Sequence, residues 1–429
     1  MFRHLSGAFA AFTSLLLTSA ASAETVYIQA GQLLAVPGEG YQSEKTIIVE
    51  DGKILSVEDG FLSPEGEGAI IDLRSAFVLP GLIDSHVHLT SEFSPTSRVD
   101  ILYESEADEA FNGAMNARKT LMAGFTTVQD VGATSEAIFS LRDAIAAGKV
   151  PGPRIRASGQ SVSPTGGHGD ANGFSPALMN LFKSDTICDG SDDCRRAVRE
   201  AVKTGADVIK ITATGGVLSN TKAGLAQQFF DDELEAIVEA ANSMGRKVTA
   251  HAHGKDGIDA ALRAGVKSIE HGTYLDDETI ALFKEHDAVL VPTVIAGITV
   301  TGWIEEPWLP EASREKAQII GPLMLDMLRR AREGGVTIAF GTDTGVSKHG
   351  ENAEEFLYMV EAGFTPEEAI RAATVIAADH VELGGTIGTI EAGKSADIIA
   401  VTGDPLKSVE ELLDVDFVMA RGQVYKSSP

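Results

Sequence analysis

The sequence contains few cysteines, and this shortage limits the sites it can build. Only Cys188 and Cys194 occur in the 429 residues, and five residues, one of them a glycine, separate them. No third or fourth thiol lies near this pair, which argues against half of a metal site. We therefore predict that the two cysteines close a small disulfide loop.

Basic residues are also scarce relative to acidic ones. The chain has 35 lysines and arginines against 62 aspartates and glutamates, and its net charge is −27 at pH 7. A surface of this sign repels nucleic acids and anionic membranes, so we expect neither as a partner. The charge favours solubility, and it does not identify a substrate.

Long apolar runs are absent except at the N-terminus. There, a basic start at residues 3–4 precedes an apolar run over residues 8–17 and the small residues Ala21-Ser22-Ala23. This order is typical of a signal peptide over residues 1–23, which leaves a mature chain that begins at Glu24. The alternative is an uncleaved membrane anchor, but the run is short for a span of about 20 residues. We expect a secreted, periplasmic protein with oxidised cysteines.

Short strands and turns characterise both ends of the mature chain. Strand-like segments occupy residues 26–30, 46–50, 53–57, 396–401 and 415–420. Asp51-Gly52, between two of these segments, is typical of a hairpin turn. We predict that residues 24–79 and 389–429 pair into one small, discontinuous β-sandwich.

The intervening residues, 80–388, alternate short apolar runs with helical stretches. The candidate strands are Leu82–Leu89, Thr126–Asp130, Arg154–Gly159, Val208–Thr212, Lys247–His253, Ser268–Gly272, Val289–Thr293 and Thr337–Asp343. Helical stretches such as residues 231–244 and 323–333 lie between several of them. This alternation favours a parallel barrel over an open sheet. The predicted fold is α/β: a (β/α)8 TIM-like barrel plus the terminal β-sandwich.

Side chains with metal-binding or acid–base chemistry lie at the ends of five of these strands, where active-site groups of a parallel barrel are found. The candidates are His86, His88, Lys210, His251, Glu270-His271 and Asp343. His86 and His88 are two residues apart on one strand, so their side chains share a face. Paired imidazoles suit zinc. One such pair is a weak signal, but matched residues on five strands predict a shared metal site.

Two of these residues offer more than simple ligation. The amine of Lys210 can take up CO2 to form a carbamate that bridges two metal ions, and burial among apolar neighbours favours the neutral amine that this requires. The alternative for Lys210 is a structural, salt-bridged lysine. Asp343 can bind a metal, accept a proton from water and hand it to a leaving amine. Asp343 could also cap a helix, and the two roles are compatible.

Motifs along most of the chain resemble the amidohydrolase superfamily, and its imidazolonepropionase-like branch in particular. They are Leu79–His88, Ala123–Val128, Lys210 with Thr212–Gly216, His251–Gly254, Ile269–Gly272, Gly341–Asp343 and Ala392–Asp397. That branch contains metal-dependent Xaa-Pro, Xaa-Arg and Xaa-Lys dipeptidases of the carboxypeptidase type, and ochratoxin-hydrolysing amidases.

The resemblance implies a binuclear centre for two divalent cations, expected to be Zn2+. The implied ligands are His86, His88 and Asp343 for the more buried ion, N6-carboxylated Lys210 as the bridge, and His251 and His271 for the second ion. The resemblance also implies a homo-oligomer, because assemblies up to octamers occur in this branch.

Further residues are candidates for contact with the substrate. His168 lies in the Gly-rich segment 163–170, which members of the branch share, and we expect it to polarise the scissile carbonyl or to hold a carboxylate. The alternative is a histidine that stabilises the loop. We assign His253 to substrate binding, because a second ligand from one strand would overfill the metal. Val217 and Tyr274 are weaker candidates for the pocket.

An apolar segment, residues 296–310, contains both tryptophans of the chain. Trp303 and Trp308 predict either a lid over the barrel mouth or a surface excursion. Three other histidines belong to no motif, and we expect structural or surface positions for them: His286, His349 and His380.

These features predict a metal-dependent hydrolase of a small-molecule substrate. It would cleave the amide bond before a C-terminal amino acid in dipeptides or N-acyl amino acids, including ochratoxin-like amides, with Asp343 as proton shuttle. One alternative is a hydrolase of cyclic amides or imides, similar to imidazolonepropionase or hydantoinase, although export argues against cytosolic histidine breakdown. The other is a metal-binding barrel without catalysis, against which Asp343 and the intact ligand set argue.

Overall fold

The computed structural model describes residues 25–221 and 223–427. The predicted signal peptide, residues 1–23, lies outside these ranges. Among the helices within them, none combines the length and hydropathy that a transmembrane span requires.

The described residues form strands and helices in the following order along the chain. The strands are β1 (Val26–Leu33), β2 (Gln42–Glu50), β3 (Lys53–Asp59), β4 (Ala69–Pro80), β5 (Leu82–Val87), β6 (Phe125–Asp130), β7 (Arg154–Ala157), β8 (Ile209–Thr212), β9 (Val248–Ala252), β10 (Ser268–His271), β11 (Val289–Val291), β12 (Thr337–Ile338), β13 (Ile398–Val401), β14 (Phe417–Ala420) and β15 (Gln423–Ser427). The α-helices are α1 (Ser97–Asp100), α2 (Glu106–Met122), α3 (Ser135–Ala146), α4 (Pro176–Leu181), α5 (Ser191–Thr204), α6 (Asp231–Ser243), α7 (Lys255–Ala264), α8 (Asp277–Glu285), α9 (Val294–Gly302), α10 (Glu311–Glu333), α11 (Glu355–Glu361), α12 (Pro366–Arg371) and α13 (Ala377–His380). Short 3-10 helices cover Asn352–Glu354 and Val409–Leu413, and a π-helical turn covers Ala372–Ile376.

The two ends of the chain build one seven-stranded sheet in the order β15-β14-β13-β4-β1-β2-β3. β4 joins the two parts, because it pairs in parallel with β1 and antiparallel with β13. The sheet curls until β3 reaches the residues before β13, where the N–H of Ile54 donates to the carbonyl of Lys394 at 2.9 Å. Its interior is apolar and includes Ile28, Ile47, Val78, Ile398 and Met419. The predicted β domain formed by both chain ends is thereby confirmed.

The strands β5–β12 form the barrel, and each hydrogen-bonded pair among them is parallel. Regular pairing joins β5-β6-β7 and β8-β9-β10-β11-β12 into two arcs. Residues beyond the strand ends close the ring. Val162 N–H donates to Lys210 O at 2.8 Å, and Asp343 N–H donates to His86 O at 2.7 Å. The predicted barrel is confirmed. Residues of the predicted site lie at both places where the two arcs meet: Lys210 at one, and His86 and Asp343 at the other.

The barrel strands are short and fully covered. Every residue of β5, β6, β8, β9 and β10 is buried. Strands with helices on one side and the barrel interior on the other lack the polar alternation of a half-exposed sheet. For this reason they appear in the sequence as continuous apolar runs.

The predicted disulfide is present at the start of α5. Cys188 and Cys194 are joined, with their Cα atoms 5.0 Å apart. Both residues are buried, and Cys194 lies in the first turn of the helix. The bond therefore fastens the loop that precedes α5 to the helix itself.

Candidate metal centre and its cavity

A cavity of about 290 Å³ opens at the carboxyl ends of the barrel strands. The predicted metal ligands all line it: His86, His88, Lys210, His251, His271 and Asp343. They come from β5 and the residue that follows it, from β8, β9 and β10, and from the segment that follows β12. The barrel thus brings together residues that are far apart in sequence, as expected for strand ends in this fold.

His86 and His88 both approach the carboxylate of Asp343. Nε2 of His88 lies 3.1 Å from Oδ1 of Asp343, and Nε2 of His86 lies 3.4 Å from the same oxygen. The structure therefore groups the three residues that the sequence analysis assigns to one ion.

A second group of histidines contains the other two predicted histidine ligands. His251, His253 and His271 each present a ring nitrogen, and these atoms lie within 4.8 Å of one another. His253 also lines the cavity, as the substrate role that the sequence predicts requires. Its position beside His251 and His271 would equally allow it to contact a metal. His271 also belongs to a group with His86 and Asp343, so it stands between the two halves of the site.

Hydrogen bonds at Nδ1 orient three of the rings. Nδ1 of His86 donates to Oε2 of Glu270 at 2.7 Å, and Nδ1 of His88 donates to a backbone carbonyl at 2.7 Å. Nδ1 of His271 lies 2.7 Å from the hydroxyl of Thr293. When Nδ1 carries the proton, Nε2 keeps a free lone pair for a cation. The donors therefore fit a metal site.

Burial and neighbouring charges set the protonation of the site. Burial, followed by the charges of neighbouring histidines, holds the pKa values of His251 and His271 well below 6.5. For Asp343, burial acts to raise the pKa, but interactions with His86 and His88 lower it well below 3.8. Burial acts to lower the pKa of His86, but Asp343 and Glu270 outweigh it and raise that pKa. Neutral imidazoles beside a carboxylate are a donor set that suits divalent transition metals, and metal binding at His86 displaces a proton.

Lys210 projects into the same cavity from β8. It is 4 % exposed and lines the cavity together with Asp343. Burial lowers the pKa of this amine below 10.5, although Glu270 and Asp343 partly oppose the shift. A lowered pKa increases the neutral fraction of the amine, and the neutral amine is the form that adds to CO2.

Two of the predicted ligands have a left-handed backbone. His271 has φ of 74°, and Asp343 has φ of 58°. Such conformations cost roughly 1–3 kcal/mol each for residues other than glycine, and they concentrate at functional sites. The surrounding barrel thus enforces the direction of both side chains.

The substrate candidates divide into two groups. His168 and Val217 line the cavity, and the ring of His168 lies 4.2 Å from that of His251. Burial lowers the pKa of His168 to about 3, so it is neutral. Tyr274 does not line the cavity: its side chain is 37 % exposed, and its backbone N–H donates to the carbonyl of His253 at 3.0 Å.

The segment for which the sequence predicts either a lid or a surface excursion is a helical wall of the cavity in the structure. Residues 296–310 form most of α9 and its connection to α10. Trp303 and Trp308 do not line the cavity, but Trp303 stacks on Phe93, which does, with ring centroids 6.0 Å apart. The tryptophans therefore support the wall from behind.

Two buried carboxylates, Glu270 and Asp84, receive no individual role in the sequence analysis. Glu270 orients His86, as described above. Asp84 accepts hydrogen bonds from Thr342 Oγ1 at 2.7 Å and Asn352 Nδ2 at 2.8 Å, and so ties β5 to the segment after β12. Burial raises the pKa of Asp84 to about 6. Both residues occur in the motifs given above, close to a ligand histidine, and this position was the available signal.

The three histidines without a motif lie outside the metal site. His349 is buried and His380 is partly buried, and burial lowers the pKa of each to about 4. Nε2 of His349 donates to the carbonyl of Ser91, a residue of the cavity lining, at 2.8 Å. His286 is partly exposed. These positions suit structural or surface residues.

Comparisons with known proteins connect this site to a family. The chain matches the amidohydrolase family over residues 77–425. It is 33% identical to ochratoxinase from Aspergillus niger over 446 aligned positions, which cover 96% of this chain and 89% of that protein. A solved Xaa-Pro dipeptidase with methionine bound in the active site is 40% identical with a TM-score of 0.90, covering 94% of this chain and 100% of that one. The crystal structure of A. niger ochratoxinase has a TM-score of 0.83 at 32% identity, covering 94% and 96%. The chain belongs to the amidohydrolase family, whose members typically bind divalent metals, and it is a hydrolase that acts on amide bonds.

Proposed function

We propose that the protein hydrolyses the amide bond before a C-terminal amino acid, in dipeptides or N-acyl amino acids, with two divalent cations. The observation that carries this proposal is the convergence of imidazoles, a buried lysine and a carboxylate on one cavity. The names of two relatives support the substrate class, since one is a Xaa-Pro dipeptidase with methionine in its active site and the other is an ochratoxinase.

The geometry suggests how the cations would be held. His86, His88 and Asp343 would hold one ion, and His251 and His271 would hold the other, with His253 close enough to contribute. The neutral amine of Lys210 would add to CO2 and lose one proton, and the resulting carbamate would bridge the ions as a carboxylate does. Zn2+ suits this mixture of imidazole and oxygen donors.

The residues of the chain divide the work of hydrolysis. The cations, when bound, supply Lewis-acid polarisation of the carbonyl and make water more acidic. Asp343 accepts the proton of the attacking water, and its carboxyl group then donates this proton to the leaving nitrogen. His168, neutral at the cavity wall, would hold the substrate carbonyl or carboxylate through Nε2, because its Nδ1 is engaged with Ser219.

The test is a substrate panel with the zinc-loaded mature protein. Dipeptides, N-acyl amino acids and ochratoxin-like amides are compared with cyclic imides and imidazolones by kcat/KM. We expect turnover of the linear amides that requires metal and is lost after chelation. Preferential turnover of the cyclic substrates would favour the cyclic-amide alternative over this proposal. If none of the amides showed metal-dependent turnover, catalysis by this site would be refuted.

We also propose that the protein acts after export. A disulfide in the described residues and the order of residues 1–23 support this proposal. The mass of the protein recovered from the periplasm should correspond to a chain that begins at Glu24. Recovery of the full-length chain from the cytoplasm alone would contradict it.

A further inference from the structure

The lining of the cavity contains two chemically different sets of side chains. We call the metal ligands and His168 its metal half. We call the apolar side chains its apolar half: Phe93, Val217, Val300, Ile320, Met324 and Val346. Three of these belong to α9 and α10, which pack against each other and form an apolar wall of the cavity.

Close packing of α9 against α10 gives this wall a fixed shape. A Cβ atom at Gly321 would lie 1.7 Å from Oγ1 of Thr301, and one at Gly297 would lie 2.7 Å from Cγ of Met324. Both glycines line the cavity, and only the absence of a side chain lets the helices approach this closely. The apolar half is therefore formed before a ligand arrives.

Thr273 connects the wall to one of the histidines of the site. The hydroxyl of Thr273 lies 3.2 Å from the sulfur of Met324 and 2.8 Å from Nδ1 of His253. A group that rests on Met324 is thus next to the reacting centre. The apolar half is close enough to hold a substituent on either side of the scissile bond.

Among the described residues, the apolar wall contributes no charged side chain to the lining of the cavity. In the described lining of the cavity, Lys210 and Asp343 carry the charge, and both belong to the metal half. Lys316 on α10 is buried beside the wall, but its amine donates to the carbonyls of Gly216 at 2.6 Å and Ser219 at 2.7 Å. A charged substituent placed here would lose its hydration without gaining a partner.

We propose that the substrate carries an uncharged, apolar substituent next to its scissile amide, and that Val300, Ile320 and Met324 select it. The inference rests on the proposed function, because it assumes that an amide is cleaved at the metal half. It adds the class of the substituent and the residues that discriminate.

Two dipeptide series test the selection. Xaa-Gly and Gly-Xaa, with Leu, Phe, Lys or Glu as Xaa, vary one side of the bond at a time. In one of the series we expect kcat/KM for Leu and Phe to exceed that for Lys and Glu by roughly tenfold or more, since apolar pockets discriminate in this range. Equal or better turnover of Lys or Glu in both series would overturn the proposal.

Ile320 and its neighbour Ile319 give a matched pair of variants. Ile320 lines the cavity and is 2 % exposed, whereas Ile319 is 54 % exposed on the other face of α10. Ile320→Lys should lower kcat/KM for Leu and Phe at least tenfold and reduce the disadvantage of Glu, while Ile319→Lys should leave both unchanged. If Ile320→Lys does not fold, as judged by circular dichroism, Met324→Gln keeps the side-chain length and should give the same change in preference. Unchanged preference in the folded variant would refute the role of the wall.

A binding measurement separates this inference from the proposed reaction. Free leucine, methionine, lysine and glutamate are added to the metal-loaded protein, and the shift in melting temperature is recorded, since a ligand that binds the folded state raises it. Larger shifts with leucine and methionine would support the apolar selection even if no dipeptide were hydrolysed. Turnover of dipeptides with equal shifts and equal kcat/KM would refute the selection and leave the proposed function standing.

Discussion

Replacing Glu270 by glutamine should weaken metal binding at His86 without removing a ligand. Oε2 of Glu270 accepts the Nδ1 proton of His86 at 2.7 Å, and Oε1 accepts a hydrogen bond from the hydroxyl of Thr249. In the variant, the amide oxygen would keep the bond to Thr249, and the amide nitrogen would face His86. Nδ1 of His86 would then have to accept a hydrogen bond, which moves the ring proton to Nε2, the atom that faces Asp343.

The magnitude follows from burial and geometry. Glu270 is fully buried, so the contact is charge-assisted, short and unscreened by water. Loss of such a partner to a ligating histidine typically costs 10–100-fold in metal affinity, which is about 1.4–2.7 kcal/mol. The ligands at Asp343 and His88 remain, so we expect weaker binding and not complete loss.

Titration of the metal-free protein with Zn2+ measures this effect. Glu233→Gln is the matched control, because Glu233 is a buried glutamate that accepts the backbone N–H of Gly190 at 2.6 Å and of Phe230 at 2.8 Å and contacts no histidine. The control should lose stability and keep its Zn2+ affinity. A Glu270→Gln variant that folds and binds both ions as tightly as the wild type would refute the tautomer argument.

Three further predictions concern single residues. Asp343→Asn should retain much of the metal while kcat falls roughly 10²–10⁴-fold, and a near wild-type kcat would exclude Asp343 as the proton shuttle. Lys210→Ala should lose metal, measured by elemental analysis, and recover it when acetate is supplied; unchanged metal content would rule out the bridge. Burial raises the pKa of Glu355 from 4.5 to about 8. Between pH 4.5 and about 8, the folded chain therefore keeps a proton on Glu355 that the unfolded chain has lost. The free energy of unfolding should fall as the pH rises through this range. Glu355→Gln should flatten this dependence of the melting temperature, and an unchanged profile would contradict the assignment.

The position of the site was predictable because strand ends in a parallel barrel share one face. The spacing of His86 and His88 is a weak signal alone, and the prediction depends on the matching residues at the ends of four other strands and on the resemblance to the amidohydrolase superfamily. The last strand shows where this reasoning fails. Regular pairing covers only Thr337–Ile338, whereas a strand over residues 337–343 was expected. The remainder bends into a left-handed residue, Asp343, which contacts from β5 impose and no local pattern indicates.

The residues that orient the metal ligands were less predictable from the sequence than the ligands themselves. Glu270 and His86 are 184 positions apart, and only the closed barrel brings them into contact. The same limit applies to the wall, because α10 begins at Glu311 and continues through Pro322, whereas helical sequence was expected only from residue 323. Packing of α9 on α10 through glycines outweighs the helix-breaking tendency of the proline. Such tertiary contacts decide the shape of the cavity, and a single sequence does not record them.

One buried glutamate links the metal half of the cavity to its apolar wall. Glu355 accepts the N–H groups of Val294 and Ile295, at the start of α9, at 2.9 and 2.7 Å. The preceding residue, Thr293, has φ of 52°, and its hydroxyl contacts Nδ1 of His271. The backbone of His271 is also left-handed. Because α9 also carries wall residues, a displacement of this helix moves both the substrate surface and the partner of a ligand histidine. Substitutions in the wall and at His271 should therefore be non-additive in their effects on metal affinity, as expected for residues that share a rigid contact.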